Sequence, residues 1–238
     1  MVAAKRYAVI VAGGRGTRMQ SSVPKQFLLL GGRPILMWTL DAFTAYDAGV
    51  RLIVVLPKSE QERWKALCRA YDFVTPCLMA DGGATRFQSV ANALRLIPDD
   101  EGDALIAVHD GVRPFVTSRV IAACYDEAAR TGAAVPVTEL TDSLRNVVGS
   151  TSKAVNRGDY RLVQTPQTFR ADVLKSAYRL PYRATFTDDA SVVEAAGYAV
   201  RLVPGCRENF KITTPLGMAF AQVLLAANDG LRGNDARQ

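Results

Sequence analysis

The sequence predicts an α/β fold: one domain over residues 1–238, with a twisted, mostly parallel sheet and a single projecting β-arm at about 141–164. Three observations predict it. Apolar, β-branched-rich runs alternate with longer amphipathic stretches, the βαβ rhythm of a sheet covered by helices on both faces. That rhythm breaks once, between Thr141 and Gln164, where DSLRNVVGSTSKAVNRGDYRLVQ reads as two extended segments around a Gly/Ser turn. The chain is also long enough, at 238 residues and 49% hydrophobic, to bury a substantial core, and it contains no repeat, low-complexity segment or linker that would divide it.

In chain order, Tyr7–Ala12 is a buried strand and Ile35–Tyr46 a helix, with Pro34 suited to its first turn. Leu52–Leu56 and Glu60–Tyr71 repeat the pair, as do Leu105–Val108 and Val120–Arg130. Gly132 stops that last helix before the strand-like Ala133–Val137. The arm follows. Helical periodicity returns at Ala171–Arg179, Asp189–Ala196 and Pro215–Ala227, with a short strand at Ala199–Val203, and the tail from Asn228 is expected to fray.

Composition removes several classes of function. The start MVAAKRYAVIVAGG has too short an apolar run for a signal peptide, and no later stretch is long enough to span a bilayer, so a soluble cytoplasmic protein without a membrane partner is expected. Cys68, Cys77, Cys124 and Cys206 are scattered, without the close pairs of zinc or redox sites, and read as buried free thiols. The net charge of +6 is spread along the chain with no long basic run, which fits a small phosphorylated ligand and gives no reason to expect specific nucleic-acid binding. His109 is the only histidine, so chemistry requiring two histidines is excluded, and this one reads as structural.

The strongest local signal is VIVAGGRGTRMQSSVPKQF, residues 9–27, where a buried strand runs into a glycine-rich loop followed by Arg15, Arg18 and Lys25. Glycines let backbone N–H groups approach phosphate oxygens, and the cations neutralise their charge. The loop lacks the third small residue of a dinucleotide fingerprint and the Gly-Lys-Ser/Thr of a Walker loop. VHDGVRPF, residues 108–115, ends another strand, where open α/β sheets bind ligands. Asp110 stands there as a candidate magnesium ligand, because magnesium is commonly held by one or two carboxylates together with substrate phosphates. Weaker polar clusters are Gly82, Gly83, Arg86 and Ser89; Asn156 and Arg157; Gln164 to Gln167; Thr187 and Asp188; and Asn209, Lys211 and Thr213. Each alone also reads as a turn, a helix cap or a solvated face. The residues by themselves point to a phosphate-binding, metal-assisted α/β enzyme.

Taken together and in order, AGGRGTRM…PKQF, GGATRFQSV, VHDGVRPF, VNRGDYRLVQTPQTF, FTDDASVVEAAG and ENFKITTP resemble the 2-C-methyl-D-erythritol 4-phosphate cytidylyltransferases, from about Tyr7 to Leu225. The resemblance implies a Rossmann-like domain that binds CTP and magnesium, transfers CMP to methylerythritol phosphate in non-mevalonate isoprenoid synthesis, and forms a homodimer through the arm. It implies that Gly14, Gly16, Arg18 and Lys25 hold the triphosphate, with Arg18 and Lys25 stabilising charge at the α-phosphate. Ala12, Gly13, Gly82, Gly83 and Ser89 would read cytosine, and Asp110 would bind the metal. Asp110, Arg113, Thr165, Thr187 and Lys211 would surround the second substrate, joined by Ser143 and Arg157 of a neighbouring subunit; Arg18, Lys25, Arg157 and Lys211 would be the catalytic residues. The family commonly has two alanines where this chain has Gly111 and Val112, and Asp-Thr where it has Asp142-Ser143. Related pentitol-phosphate cytidylyltransferases share the glycine loop, which makes ribitol 5-phosphate the alternative substrate. A noncatalytic nucleotide-binding module is the alternative of another class, opposed by the joint presence of Arg18, Lys25 and Asp110.

Overall fold

The computed structural model describes the backbone of residues 4–14, 19 and 23–235, with side chains as far as 227. β1 (Arg6–Val11) leads into the glycine loop, after which a short 3-10 turn at Lys25–Phe27 precedes a small hairpin, β2 (Leu29–Leu30) and β3 (Arg33–Pro34). Its two-residue turn is Gly31-Gly32, at φ +56° and +78°. Left-handed conformation at both positions makes a tight primed turn, which glycine adopts without strain. Next come α1 (Ile35–Tyr46), β4 (Arg51–Leu56), α2 (Lys58–Ala70), β5 (Cys77–Asp81), α3 (Arg86–Leu94), β6 (Leu105–Asp110) and α4 (Ser118–Thr131). The remainder comprises β7 (Ala133–Thr138), the hairpin strands β8 (Leu144–Val148) and β9 (Thr151–Val155), β10 (Leu162–Val163), β11 (Gln167–Arg170), α5 (Ala171–Ala177), α6 (Asp189–Ala195), β12 (Arg201–Pro204) and α7 (Pro215–Asp235).

The main sheet is mixed and mostly parallel. β5, β4, β1 and β6 lie side by side in parallel, and β11 inserts antiparallel between β6 and β7. Val137 of β7 pairs with Val163 on one edge and with Pro204 on the other. β12 therefore closes the far edge, while β10 and β11 run along the same edge of β7 as one strand interrupted at Gln164–Pro166, with Thr165–Pro166 cis.

Strand alternation divides the core into two layers. Ala8 and Ile10 of β1, with Leu52 and Val54 of β4 and Leu105 and Ala107 of β6, pack on one face against Leu36, Leu40 and Phe43 of α1, Trp64 of α2 and Ile121 and Tyr125 of α4. Tyr7, Val9, Ile53, Val55, Ile106 and Val108 face the other way, onto Val90 and Leu94 of α3, Leu174 of α5 and Val193 of α6. Both faces are covered, so the strands are apolar throughout. α4 shows how local chemistry sets the ends: the Thr117 hydroxyl accepts the Val120 N–H at 3.3 Å, and Gly132, at φ +95°, donates to the Ala128 carbonyl at 2.8 Å.

Some expectations needed correction. The helix α7 continues past Asn228 to Asp235 instead of ending there. Of the four free thiols, Cys124 alone is fully buried; burial pushes it up to about 12, and Cys68, half-buried, up to about 11. The hairpin of β8 and β9 turns at Gly149-Ser150 and projects with Val147 and Val148 exposed, while Leu162–Val163 has already rejoined the sheet.

Candidate active site

The parallel strands end level with one another. Val11 is in register with Val55 of β4 and with Asp110 of β6, so three chain segments leave the sheet at one place. Backbone bonds tie them together: Ala12 N to Val55 O at 2.9 Å, Gly111 N to Val11 O at 2.9 Å and Gly82 N to Leu56 O at 2.8 Å. Beyond this carboxyl edge lies a pocket of about 290 Å³, bordered by Gly13, Gly14, Lys25, Arg86, Asp110 and Lys211. It is where an open α/β sheet is built to hold a ligand.

Small residues make room for it. A Cβ on Gly14 would stand 3.4 Å from Lys25 Cε and 3.5 Å from its Nζ, so the lysine ammonium lies directly over the glycine backbone. A Cβ on Gly82 would come within 3.1 Å of Pro57 N and 3.2 Å of Leu56 C, both backbone atoms that cannot swing aside. The Ser89 hydroxyl accepts from Gly83 N at 3.0 Å and donates to Thr85 O at 2.9 Å, fixing the turn that opens α3. Gly111 is equally constrained, since a Cβ there would lie 3.1 Å from both Ala12 Cβ and Leu36 Cδ1. The departure from the resembling family at 111 therefore matches close packing in this chain.

Asp110 is the electrostatic centre. It is nearly buried, and its Oδ2 receives Arg113 Nε at 3.0 Å and Lys211 Nζ at 3.1 Å. Burial alone would raise its pKa, but Lys211, Arg86 and Arg113 hold the carboxyl well below the usual carboxylate range. Both direct cation contacts use Oδ2, which leaves Oδ1 outside these bonds. One ionised carboxylate bordering the first pocket fits magnesium held jointly with substrate phosphates. No cluster of three or more His, Cys, Asp or Glu side chains able to hold a metal occurs among the described residues.

Behind Asp110 a hydrogen-bonded frame fixes its position. Asp110 N donates to Thr165 Oγ1 at 3.1 Å, and that hydroxyl meets His109 Nδ1 at 3.0 Å; His109 Nε2 lies 3.1 Å from Arg113 O. Arg113 Nη1 donates to Asn209 O at 2.8 Å, and Asn209 Nδ2 returns to Thr165 O at 2.7 Å. Thr165, which the resemblance places around the second substrate, is buried, and its hydroxyl helps to hold Asp110. His109 is fully buried as a structural residue, and burial depresses its pKa to about 4.

This depression carries a pH prediction. The folded protein keeps His109 neutral, while the unfolded chain protonates it near pH 6.5, so the unfolded state binds more protons between those values. Stability should fall by on the order of 3 kcal/mol as pH drops from about 6.5 to about 4, then flatten for this group. Urea unfolding of wild type and His109→Asn across that range measures it, with the variant expected to lose that part of the slope. Equal slopes in the two proteins would refute the assignment. Asp110, held low, contributes in the more acidic window below the ordinary carboxylate range.

A second pocket, of about 360 Å³, adjoins the first and is bordered by Arg113, Glu139, Thr141, Arg207, Phe210 and Lys211. Lys211 borders both, and so stands between two compartments. Of the site residues expected from sequence, Ala12, Gly13, Gly14, Lys25, Gly83, Ser89, Asp110 and Lys211 line the first pocket, Gly82 precedes Gly83 and is bonded to Leu56 O, and Arg113 lines the second. Ser143, Arg157 and Thr187 are exposed and line neither pocket in this chain, though the Arg157 guanidinium donates to the carbonyl of Thr141 on the second pocket's wall. Gly16 and Arg18 lie outside the described residues. Sequence reading missed Arg207, and named Gln164, Asn209 and Arg86 only within weak polar clusters, with no individual part. Gln164 shows why: its amide donates to Cys206 O at 2.7 Å, a pairing across 42 positions that no local pattern announces.

Fold and pockets together define a phosphate-binding α/β enzyme with two adjoining compartments, the second of them cationic and slightly larger than the first. A family model described as 2-C-methyl-D-erythritol 4-phosphate cytidylyltransferase matches residues 7–227. The protein of that name from Phocaeicola vulgatus is 50% identical over 220 residues, covering 92% of this chain and 99% of its own length. The one from Bacteroides fragilis is 51% identical over 220 residues, with the same coverage of 92% and 99%. Among solved structures, the Thermus thermophilus enzyme of this name superposes with a TM-score of 0.71 at 34% identity, covering 93% of this chain and 98% of that one. The 4-diphosphocytidyl-2C-methyl-D-erythritol synthase from Anaerococcus prevotii superposes with a TM-score of 0.79 at 25% identity, covering 94% of this chain and 96% of that one. The chain belongs to the 2-C-methyl-D-erythritol 4-phosphate cytidylyltransferase family.

Proposed function

We propose that the protein transfers CMP from CTP to 2-C-methyl-D-erythritol 4-phosphate, releasing pyrophosphate, as a step of non-mevalonate isoprenoid synthesis. The observation that carries this reading at the site is Lys211, which joins the two pockets and touches Asp110 between them. CTP occupies the first pocket, its triphosphate along Gly14, Lys25 and the adjoining loop that includes Gly16 and Arg18. The sugar-alcohol phosphate enters the second, between Arg113 and Lys211.

An oxygen of the sugar-alcohol phosphate attacks the α-phosphorus of CTP. A new P–O bond forms as the bond to the β-phosphate breaks, and pyrophosphate leaves with that electron pair. The attacking oxygen is already ionised near neutral pH, so no general base is required and the buried, neutral His109 is no obstacle. What the reaction demands is alignment and relief of repulsion between two anions. Lys25 and Lys211 supply that charge, with Arg18 assigned the same role by its place in the motif. Magnesium, when bound at Asp110, supplies further neutralisation of the phosphate oxygens.

The exposed hairpin of β8 and β9 completes the site in a homodimer, carrying Ser143 and Arg157 to the partner's second pocket. No described helix is long and apolar enough to cross a membrane. Removing residues 144–155 with a short glycine bridge is expected to yield a monomer with turnover reduced at least about a hundredfold, read by light scattering and product formation. A fully active monomer would contradict the shared site. Substrate identity is tested by CTP turnover with either methylerythritol 4-phosphate or ribitol 5-phosphate; selective use of the latter would move the enzyme to the pentitol branch.

A further inference from the structure

Arg86 opens α3 on the wall of the first pocket, and Asp189 opens α6 beneath it. Arg86 Nη2 lies 2.6 Å from Asp189 Oδ2, and the other carboxylate oxygen accepts the Tyr178 hydroxyl at 2.6 Å. The Asp189 side chain is 0% exposed, whereas Arg86 retains 27% of its surface. Capping does not account for Asp189, because the N-cap of α6 is Asp188, which accepts Ser191 N at 2.9 Å and Gln167 Nε2 at 2.7 Å. An ion pair with a buried carboxylate is a poor stabiliser, since apolar replacements of buried pairs are often as stable or more so. Its effect here is geometric. Phe87, next to Arg86, stacks on Tyr178 at 4.6 Å between ring centroids, so the first turn of α3 is fixed to α5 and α6 through both ring and carboxylate.

We propose that Asp189 is a positioning residue for nucleotidyl transfer: it anchors Arg86 as a fixed guanidinium donor toward the phosphates that react beside Asp110. This rests on the proposed function and assigns a role to a pair that the nucleotide-loop and second-substrate residues do not include. A free arginine would have to be ordered at each turnover, with loss of rotamer freedom; held by Asp189, which Tyr178 in turn fixes, its fork is oriented before substrate arrives. Arg86 and Asp110 border the same pocket, which places the guanidinium beside the proposed reacting centre.

The test is a double-mutant cycle with Arg86→Gln, Asp189→Asn and both together, with Tyr178→Phe as a milder probe that keeps the charges. Steady-state kinetics, CTP–magnesium binding by calorimetry and melting temperature are read for each. Asp189→Asn is expected to lower kcat about tenfold or more per folded molecule, with KM for the sugar-alcohol phosphate changed less than about threefold. In the Arg86→Gln background the same change should add less than about twofold, because its effect passes through Arg86. Tyr178→Phe should lower kcat about twofold to fivefold. Wild-type kcat per folded molecule in Asp189→Asn, or losses that multiply in the double variant, would overturn the proposal. If the wild type transfers no CMP, the proposed function fails separately, and the cycle in CTP affinity then decides: additive effects refute the pairing, coupled effects retain it.

Discussion

Lys25→Ala is expected to lower turnover at least about a hundredfold while leaving the fold intact. Lys25 enters the first pocket from a short 3-10 turn and lies over Gly14, on the path proposed for the triphosphate. The turn itself is maintained by backbone bonds, Phe27 N to Pro24 O at 2.9 Å and Leu28 N to Lys25 O at 3.2 Å, which do not need the ammonium. The alanine variant therefore removes charge from the pocket without removing the element that carries it. Because transition-state charge is greater than ground-state charge at the α-phosphate, the loss should appear in kcat as well as in KM for CTP. Steady-state kinetics beside a melting curve measure both. Turnover unchanged within about threefold would remove Lys25 from the catalytic group.

Asp110→Asn is expected to lower turnover roughly a thousandfold, corresponding to about 4 kcal/mol of lost stabilisation from charge neutralisation at the phosphates. The amide keeps the size of the side chain but gives up the anion that faces Lys211, Arg86 and Arg113. Two consequences separate this from Lys25→Ala. The magnesium concentration for half-maximal activity should rise markedly, and CTP should bind in the absence of metal at least as well as before, because uncompensated cations then face the triphosphate. A magnesium titration of activity, with metal-free CTP binding, checks both. A variant with an unchanged magnesium midpoint would show that Asp110 does not hold the metal.

Much of the fold was legible because its signals are local. Tyr7–Ala12, Leu52–Leu56 and Leu105–Val108 are apolar on both faces, which is what a strand sandwiched between helix layers requires. Ile35–Tyr46 coincides with α1, and Gly132 stops α4 in the left-handed conformation. β5 and α3 were not read, because Cys77–Asp81 is short, only partly buried and poor in β-branched residues, and the following GGATR segment looks like loop. β11 was missed for a different reason. Gln167 and Thr168 are polar, and they are buried only because Gln167 bonds to Asp188 and to Ala190 N, contacts invisible until the chain is folded.

The same division runs through the site. Gly14, Lys25 and Asp110 stand at the ends of apolar strands or close after them, so sequence alone marks them. Thr165 was noticed through the resemblance as a second-substrate residue, but the bonds of its hydroxyl to Asp110 N and His109 have no local signature. The Arg86–Asp189 pair joins residues 103 positions apart and has no local signature.

The most direct measurement follows the phosphorus. Protein, magnesium and methylerythritol 4-phosphate are incubated with CTP radiolabelled either at the α- or at the γ-phosphate, and the products are separated. Nucleotidyl transfer at the joined pockets predicts α-label in the diphosphocytidyl sugar alcohol and γ-label in pyrophosphate, with neither product formed when the sugar-alcohol phosphate is omitted. Transfer of γ-label to the sugar alcohol, or α-label recovered only as free CMP, would contradict it.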